Sequence, residues 1–388
     1  MILRAGVLYD GTMNAPRRNA DIVVEDGRIK EIRDASAVRQ AHDDIVREAA
    51  CITPGMVNAH VHLEMSGQPD PLNVSKNYNT VQRTMHAVEN ARKALRAGVT
   101  TVRDVGSSDA IAIEIRDAVE HGRIEGPRMR AAGKVLCMTG GHGWPIGRAV
   151  DSPWDARKGV REQRFDGADC IKLIATGGVL TKGAVPGIAQ LTIEEMTAAC
   201  EEAHRHDMRV AAHAIGTQGI KNALRAGVDS IEHGHMLDEE TIALFKERGA
   251  YLVPTLTAPT CILEHAESGG QPDYVVRKAR EINEHMLRNI RRAFEGGVQI
   301  AGGSDAGTPF NYHENYAEEI VLMHKLLGMS AQQALHAGTA VAAELIGLHR
   351  GTLERGQHAD LLLLGADIDR DLNALARPAA VMKGGMFV

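Results

Sequence analysis

"LRAGVDSIEHG", residues 224–234, holds the pattern on which the fold turns. A charged helical end runs into Gly227, and a short apolar strand follows and stops at His233 and Gly234. Glycine just past a helix adopts the left-handed conformation without penalty and so ends the helix. The same order recurs at "LRAGVTTVRD" (95–104), "FDGADCIKLIA" (165–175), "KERGAYLVPTL" (246–256) and "FEGGVQIAGGSD" (294–305), with Gly98, Gly167, Gly249 and Gly297 at the stop. Strands of the same kind are read at "ITPGMVNAHVHL", "RMRAAGKVL" and "RVAAHA". Near-continuous apolar strands alternating with helices predict a parallel sheet covered by helices. Eight such units predict an α/β fold with a closed (β/α)8 barrel of the TIM type.

Outside this repeat the chain changes character. "ADIVVEDGRIKEIRD" (20–34) reads as two alternating strands around Asp26-Gly27, a hairpin signal. "HADLLLLGAD" (358–367) reads as a strand, and "AAVMKGGMFV" (379–388) as a hairpin with Gly384-Gly385 at its tip. Two β-rich ends around a long middle predict a small β domain from residues 1–53 and 352–388, beside a barrel spanning 54–351.

The 388 residues exceed what one simple core usually holds, which agrees with a large domain plus a smaller one. Hydrophobic residues make up 44% and charged residues 24%, as in a soluble globular protein. A net charge of −6, without a Lys/Arg cluster, provides no footprint for nucleic acid or an anionic membrane. "DLLLLGAD" has one of the longest apolar runs and is far too short to span a bilayer. The start, "MILRAGVLYDGT", lacks the apolar core of a signal peptide, so a cytoplasmic location is expected. Five scattered cysteines without a C-x-x-C argue for reduced thiols over a disulfide framework or a thiolate zinc site. The 18 histidines outnumber Phe, Tyr and Trp together, and several fall where a surface role fails.

In a barrel of this kind, function sits at the C-terminal ends of the strands. Those ends carry His60, His62, Asp104, Lys172, His213, His233, Thr255 and Asp305. Strand alternation puts His60 and His62 on one face, where both imidazoles can converge on one ion. An H-x-H alone is a weak signal, His213 alone reads as a core histidine, and Asp305 alone reads equally well as a helix N-cap. His233 and His235 share a face; His233 ends the strand and His235 falls in the loop. Lys172, inside "DCIKLIATGG" (169–178), would be an ammonium on a buried strand, which needs a partner or a shifted pKa. Separate accidental roles for each of these residues would all have to coincide at one rim. Arg103 and Asp104 are read as a structural ion pair.

With His60, His62, Lys172, His213, His233 and Asp305 in this order, the chain resembles the amidohydrolase superfamily along essentially its whole length. "PGMVNAHVHLE", "GVTTVRDVG", "IEHG" and "GSDAGTP" carry the resemblance, and "TGGHG" (139–143) with "IKLIATGGV" is most similar to its prolidase-like and arginine-carboxypeptidase-like branch. The resemblance implies that the β-rich ends form a small β-sandwich. It also implies two divalent ions, usually Zn2+, bridged by a carbon dioxide-derived carbamate on Lys172. One ion would take His60, His62 and Asp305, the other His213 and His233. A bridging hydroxide would attack the amide carbonyl of a small molecule such as a dipeptide or N-acyl amino acid. Asp305 would shuttle the proton, and His142 would hydrogen bond the carbonyl or oxyanion. Trp144, Thr255 and Asn311 are further candidates for substrate contact. The same hydroxide suits a cyclic amide, carbamate, lactone or xenobiotic amide. A mononuclear deaminase or imidazolonepropionase-type hydrolase shares the H-x-H and the last aspartate but lacks a lysine like Lys172. A catalytically dead scaffold is the non-enzymatic reading, and six filled ligand positions argue against it. The expected partner is a small-molecule substrate, with neither nucleic acid nor membrane, and the family often forms homo-oligomers.

Overall fold

A computed structural model describes residues 1–35, 46–267, 269–348 and 351–388. The strands run, in order, β1 (Ile2–Leu8), β2 (Arg17–Glu25), β3 (Arg28–Asp34), β4 (Val46–Pro54), β5 (Met56–Val61), β6 (Val99–Asp104), β7 (Arg128–Ala131), β8 (Val135–Cys137) and β9 (Gly147–Ala149). They continue with β10 (Cys170–Ile174), β11 (Arg209–Ala214), β12 (Ser230–His233), β13 (Tyr251–Val253), β14 (Gln299–Ile300), β15 (Leu361–Leu364), β16 (Ala380–Lys383) and β17 (Met386–Phe387).

The two chain ends meet in one seven-stranded sheet of order β17-β16-β15-β4-β1-β2-β3. It is mixed: β1 pairs antiparallel with β2 and parallel with β4, and β15 returns antiparallel to β4. Asp26 and Gly27 both take positive φ between β2 and β3, as a tight hairpin of right-handed strands requires. Leu3, Ile22, Ile52, Leu361 and Met382 form an apolar cluster of their own, separate from that of the parallel strands.

The middle of the chain is α/β with parallel strands. One sheet has the order β14-β13-β12-β11-β10-β8-β9, and a second has the order β5-β6-β7. Backbone hydrogen bonds join their ends. Asp169 N donates to Ala131 O at 2.8 Å, tying β7 to the approach of β10. On the other side, Ala59 N donates to Gly302 O and Asp305 N to His60 O, tying β5 to the segment after β14. Helices Ile193–His204, Thr217–Ala226, Glu239–Arg248 and Asp273–Glu295 connect the parallel strands. All five stop glycines have positive φ.

Two expected strands are divided. "RMRAAGKVL" becomes β7 and β8 because Gly133, at φ 68°, turns the chain between them. As a result β7 pairs with β6, and β8 pairs with β10. "ITPGMVNAHVHL" contains the end of β4 and the whole of β5, and Gly55 lies between them. A Cβ there would fall 2.2 Å from the Thr100 hydroxyl, so the transition between sheets requires glycine. All five cysteines are buried. Among the described residues, no helix is long and apolar enough to cross a membrane.

Candidate active site

The strand ends converge, and His60 and His62 share a face as strand alternation requires. His60 Nε2 and His62 Nε2 lie 3.3 and 3.5 Å from the same Asp305 oxygen, Oδ1. These three buried residues form a grouping able to hold a metal ion. From it a chain of imidazoles runs through the site: His60 to His233 at 5.3 Å between ring centroids, His233 to His213 at 4.5 Å, His213 to His142 at 4.4 Å.

Each of these histidines is held by one ring nitrogen, which leaves the other for a ligand. His60 Nδ1 meets Glu232 Oε2 at 2.8 Å, His62 Nδ1 meets the Gly106 carbonyl at 2.7 Å, and His233 Nδ1 meets Thr255 Oγ1 at 2.8 Å. His213 is held the other way round, through Nε2 to the Gly177 carbonyl at 3.2 Å. Three strand-end residues, His233, Thr255 and Asp305, have φ of 73°, 49° and 58°. Left-handed backbone at a non-glycine residue costs on the order of 1–3 kcal/mol and persists only where the surroundings impose it. Asn311 imposes it at Asp305, where its Nδ2 donates to the Ser304 and Asp305 carbonyls at 2.7 and 3.0 Å. The Thr308 hydroxyl donates to the Asp305 carbonyl as well.

Lys172 is 2% exposed, lines the cavity beside these rings, and makes no hydrogen bond or ion pair among the described residues. Burial pulls its ammonium down to about 8, against the opposing pull of Glu232 and Asp305. Burial would raise Asp305, but the imidazoles of His60 and His62 and the Lys172 ammonium outweigh it and keep the carboxyl below its ordinary range.

The expected Arg103–Asp104 pair does not form. Neighbours on a strand point to opposite sides. Arg103 reaches Glu232 Oε1 at 2.8 Å and donates to the Ala59 carbonyl at 2.7 Å, while Asp104 accepts from the backbone N–H groups of Leu63 and Gly106. Glu232 is therefore the hub beneath the site, gripping His60 on β5 with one oxygen and Arg103 on β6 with the other. Glu232→Gln should destabilise the protein by about 3 kcal/mol, because it leaves a buried guanidinium unpaired. Chemical denaturation checks this, and a loss below about 1 kcal/mol would show that the pair is not structural.

Burial is the main cause that keeps the imidazoles neutral. It lowers His62 and His235 to about 4 and His142 to about 3, and it drives His213 and His233 well below the ordinary value. The folded state therefore binds fewer protons than the unfolded chain once the pH falls below the ordinary imidazole value, and stability must fall in that direction. The metal-free protein should lose stability progressively from about pH 6.5 down to pH 4, by up to about 2 kcal/mol per histidine at pH 5. Denaturant midpoints at pH 7, 6 and 5 read this directly; a flat profile would mean that these rings are not buried neutral.

His142 stands at the edge of the cluster, with Nδ1 on Thr181 Oγ1 at 2.8 Å. The loop after β10 is packed against it so closely that a Cβ on Gly178 would lie 2.3 Å from its ring. Lys278, from the helix Asp273–Glu295, holds that loop by donating to the carbonyls of Thr181 at 2.8 Å and Gly178 at 3.3 Å. Tyr274 donates to the Leu180 carbonyl.

The cavity is lined by His60, His62, His142, Lys172, His213, His233, His235 and Asp305 with mostly apolar side chains around them. The other expected contacts stand elsewhere. Thr255 is fully buried and holds His233, Asn311 is fully buried and holds the Asp305 turn, and Trp144 is 49% exposed with the Lys76 ammonium over its ring. None of the three is among the described residues lining the cavity. Sequence reasoning missed Glu232, Thr181 and Lys278. For Glu232 a signal existed: like Lys172, it is a charge inside an apolar strand.

Strand ends that gather imidazoles, a carboxylate and a lysine over parallel strands define a class of metal-using hydrolases. Residues 51–388 match the amidohydrolase family, and the chain belongs to it. Members of this family generally use metal ions, and the hydrolase class follows for this chain. Ochratoxinase of Aspergillus niger is 30% identical over 99% of this chain and 85% of its own length. Its crystal structure covers the whole of this chain and 95% of its own, with a TM-score of 0.88. A Xaa-Pro dipeptidase solved with methionine in its active site is 32% identical, covers 100% of this chain and 99% of its own, and has a TM-score of 0.91.

Proposed function

We propose that this chain is a binuclear metal-dependent hydrolase cleaving the amide bond of a small molecule, such as a dipeptide or an N-acyl amino acid, to a carboxylic acid and an amine. The observation carrying this reading is the run of imidazoles, each fixed by one nitrogen, around Asp305 and a Lys172 that has no partner among the described residues. The dipeptidase and ochratoxinase likenesses support an amide substrate. On this reading the parallel strands close into a (β/α)8 barrel, spanning residues 54–351, and residues 1–53 and 352–388 make the small β-sandwich domain. The bonds joining both edges of β5-β6-β7 to the longer sheet favour closure.

The donor set fits divalent ions. Neutral imidazoles and an ionised carboxylate suit zinc. His60, His62 and Asp305 would hold one ion and His213 and His233 the other, with Lys172, as a carbamate, bridging them. Bound there, such ions would lower the pKa of a water and polarise a carbonyl.

The chain's own residues do the rest. Asp305, ionised and fixed through its backbone by Asn311, accepts the proton released by the nucleophilic water at a carboxylate oxygen and passes it to the leaving nitrogen. His142, neutral and fixed through Nδ1, presents Nε2 to the substrate carbonyl and the developing oxyanion. Glu232 and Thr255 keep His60 and His233 from rotating away from the site.

Metal analysis of the purified protein, with a screen of the zinc-loaded form against dipeptides, N-acyl amino acids and neutral amides, tests the reading. Two ions per chain and hydrolysis of at least one amide class are expected. Full metal occupancy with no hydrolysis of any amide, carbamate or lactone would reject it.

A further inference from the structure

The loop after β10 makes two contacts to His142, through the Thr181 hydroxyl at Nδ1 and through Gly178 against the ring. Residues 177–181 of this loop belong to no helix or strand, so their carbonyls need donors from elsewhere. One face of the helix Asp273–Glu295 supplies them. Tyr274 and Lys278 stand four residues apart, and between them they bond four carbonyls in succession. The Lys278 ammonium reaches Gly178 at 3.3 Å, Val179 at 3.5 Å and Thr181 at 2.8 Å, and the Tyr274 hydroxyl reaches Leu180 at 3.0 Å. An ammonium has three donors, which match its three carbonyl partners. Among the described residues, only the Thr181 carbonyl of these four also accepts a backbone N–H, from Ala184. Lys278 is itself buried, so these carbonyls replace the water its charge has lost.

We propose that Lys278, assisted by Tyr274, is a positioning residue for the reaction, acting through Thr181 on His142. This deepens the proposed function and rests on it for the part His142 plays. For His142 to donate from Nε2 to a carbonyl or oxyanion, its Nδ1 must accept, so the Thr181 hydroxyl must be the donor there. That hydroxyl belongs to the residue whose carbonyl makes the shortest of the Lys278 bonds. Holding the Thr181 main chain therefore sets both the place of the ring and the nitrogen that carries its proton. Lysine suits the task because one ammonium on a long stem draws three carbonyls toward a single point. Methionine would fill the same space and leave those carbonyls without their donor. A clamp that served folding alone would not act through one histidine; this one ends on the histidine placed beside the reacting carbonyl.

Lys278→Met, confirmed folded by thermal melting, should lower kcat on an amide substrate by about ten- to hundredfold, with KM within about threefold of the parent. Introduced beside His142→Ala, the same substitution should cost less than about threefold, because the residue it positions is already gone. Thr181→Val should reproduce the loss, and Thr181→Ser, which keeps the hydroxyl, should regain most of it; this pair tests the same link if Lys278→Met does not fold. An equal loss in both backgrounds would overturn the inference, as would parental kcat in the folded Lys278→Met or Thr181→Val variant. Parental kcat in His142→Ala would also overturn it while leaving the hydrolase reading intact. A readout without turnover is the imidazole 15N spectrum of the purified protein at pH 8, where an ordinary imidazole is neutral. The His142 ring, assigned by its loss in His142→Ala, should show one tautomer with its proton on Nε2 in the parent, and a mixture in Lys278→Met and Thr181→Val. An unchanged His142 ring in both variants would overturn the inference. Failure to hydrolyse any amide would reject the proposed function, and the spectrum would still decide whether Lys278 positions His142.

Discussion

Lys172→Ala should lower kcat/KM on any amide substrate by about three to four orders of magnitude, a larger loss than removal of an ordinary contact produces. The reason lies in the charges. Lys172 is buried beside several imidazoles with no ion-pair partner among the described residues, a position in which an ammonium is disfavoured. If the site is to hold two divalent ions, an unmodified ammonium adds repulsion, whereas a carbamate adds a negative charge and two oxygens. The alanine variant removes that bridge and leaves room for a small acid. Acetate or propionate at high concentration should restore part of the activity, and bound metal should fall from about two ions to about one. Lys172→Met fills the space instead and should not be rescued. An alanine variant with near-parental turnover and two bound ions would remove Lys172 from the centre altogether.

That prediction could be framed from sequence because Lys172 breaks the pattern of its own strand. A charge inside "CIKLI" is visible without any partner. The strand ends were legible for a similar reason: glycine stops mark the starts of strands, and counting forward from Gly167, Gly227 and Gly297 reaches Lys172, His233 and Asp305. What holds these residues was not legible, because it comes from far along the chain. Glu232 meets His60 across 172 residues, and Lys278 meets Gly178 across 100. No periodicity within either segment records the other.

The Arg103–Asp104 expectation failed on a local point. Adjacency in sequence is not adjacency in space here, because a strand sends consecutive side chains to opposite sides. Thr255 and Asn311 lie near the rim but hold His233 and the turn at Asp305, because closeness to the rim does not say which way a side chain points. Both turn out to brace a metal-ligand candidate whose backbone is left-handed. Strain at His233 and Asp305 is invisible in sequence, since neither is glycine. It is also what lets His233 turn to the side of the cluster while its neighbour Glu232 grips Arg103 beneath.

Asp305→Asn separates the fold from the chemistry. The amide keeps the size of the carboxyl, and the backbone turn at Asp305 is fixed by Asn311 and Thr308 through the main chain, which the substitution does not touch. Thermal stability should therefore change by only a few degrees, from the altered charge beside His60 and His62. Turnover should fall by about 10^3-fold or more, because an amide can neither take up the water's proton nor give it to the leaving nitrogen. The pH profile distinguishes this from simple loss of a ligand. In the parent protein the acidic limb of kcat/KM should reflect Asp305, whose pKa lies below the ordinary range, so activity falls only as that carboxylate protonates. In the asparagine variant that limb should disappear from the residual activity while metal content is retained. A variant that kept its metal and turned over within tenfold of the parent would exclude Asp305 as the proton carrier and pass the role to His142, the remaining neutral base at the cavity edge.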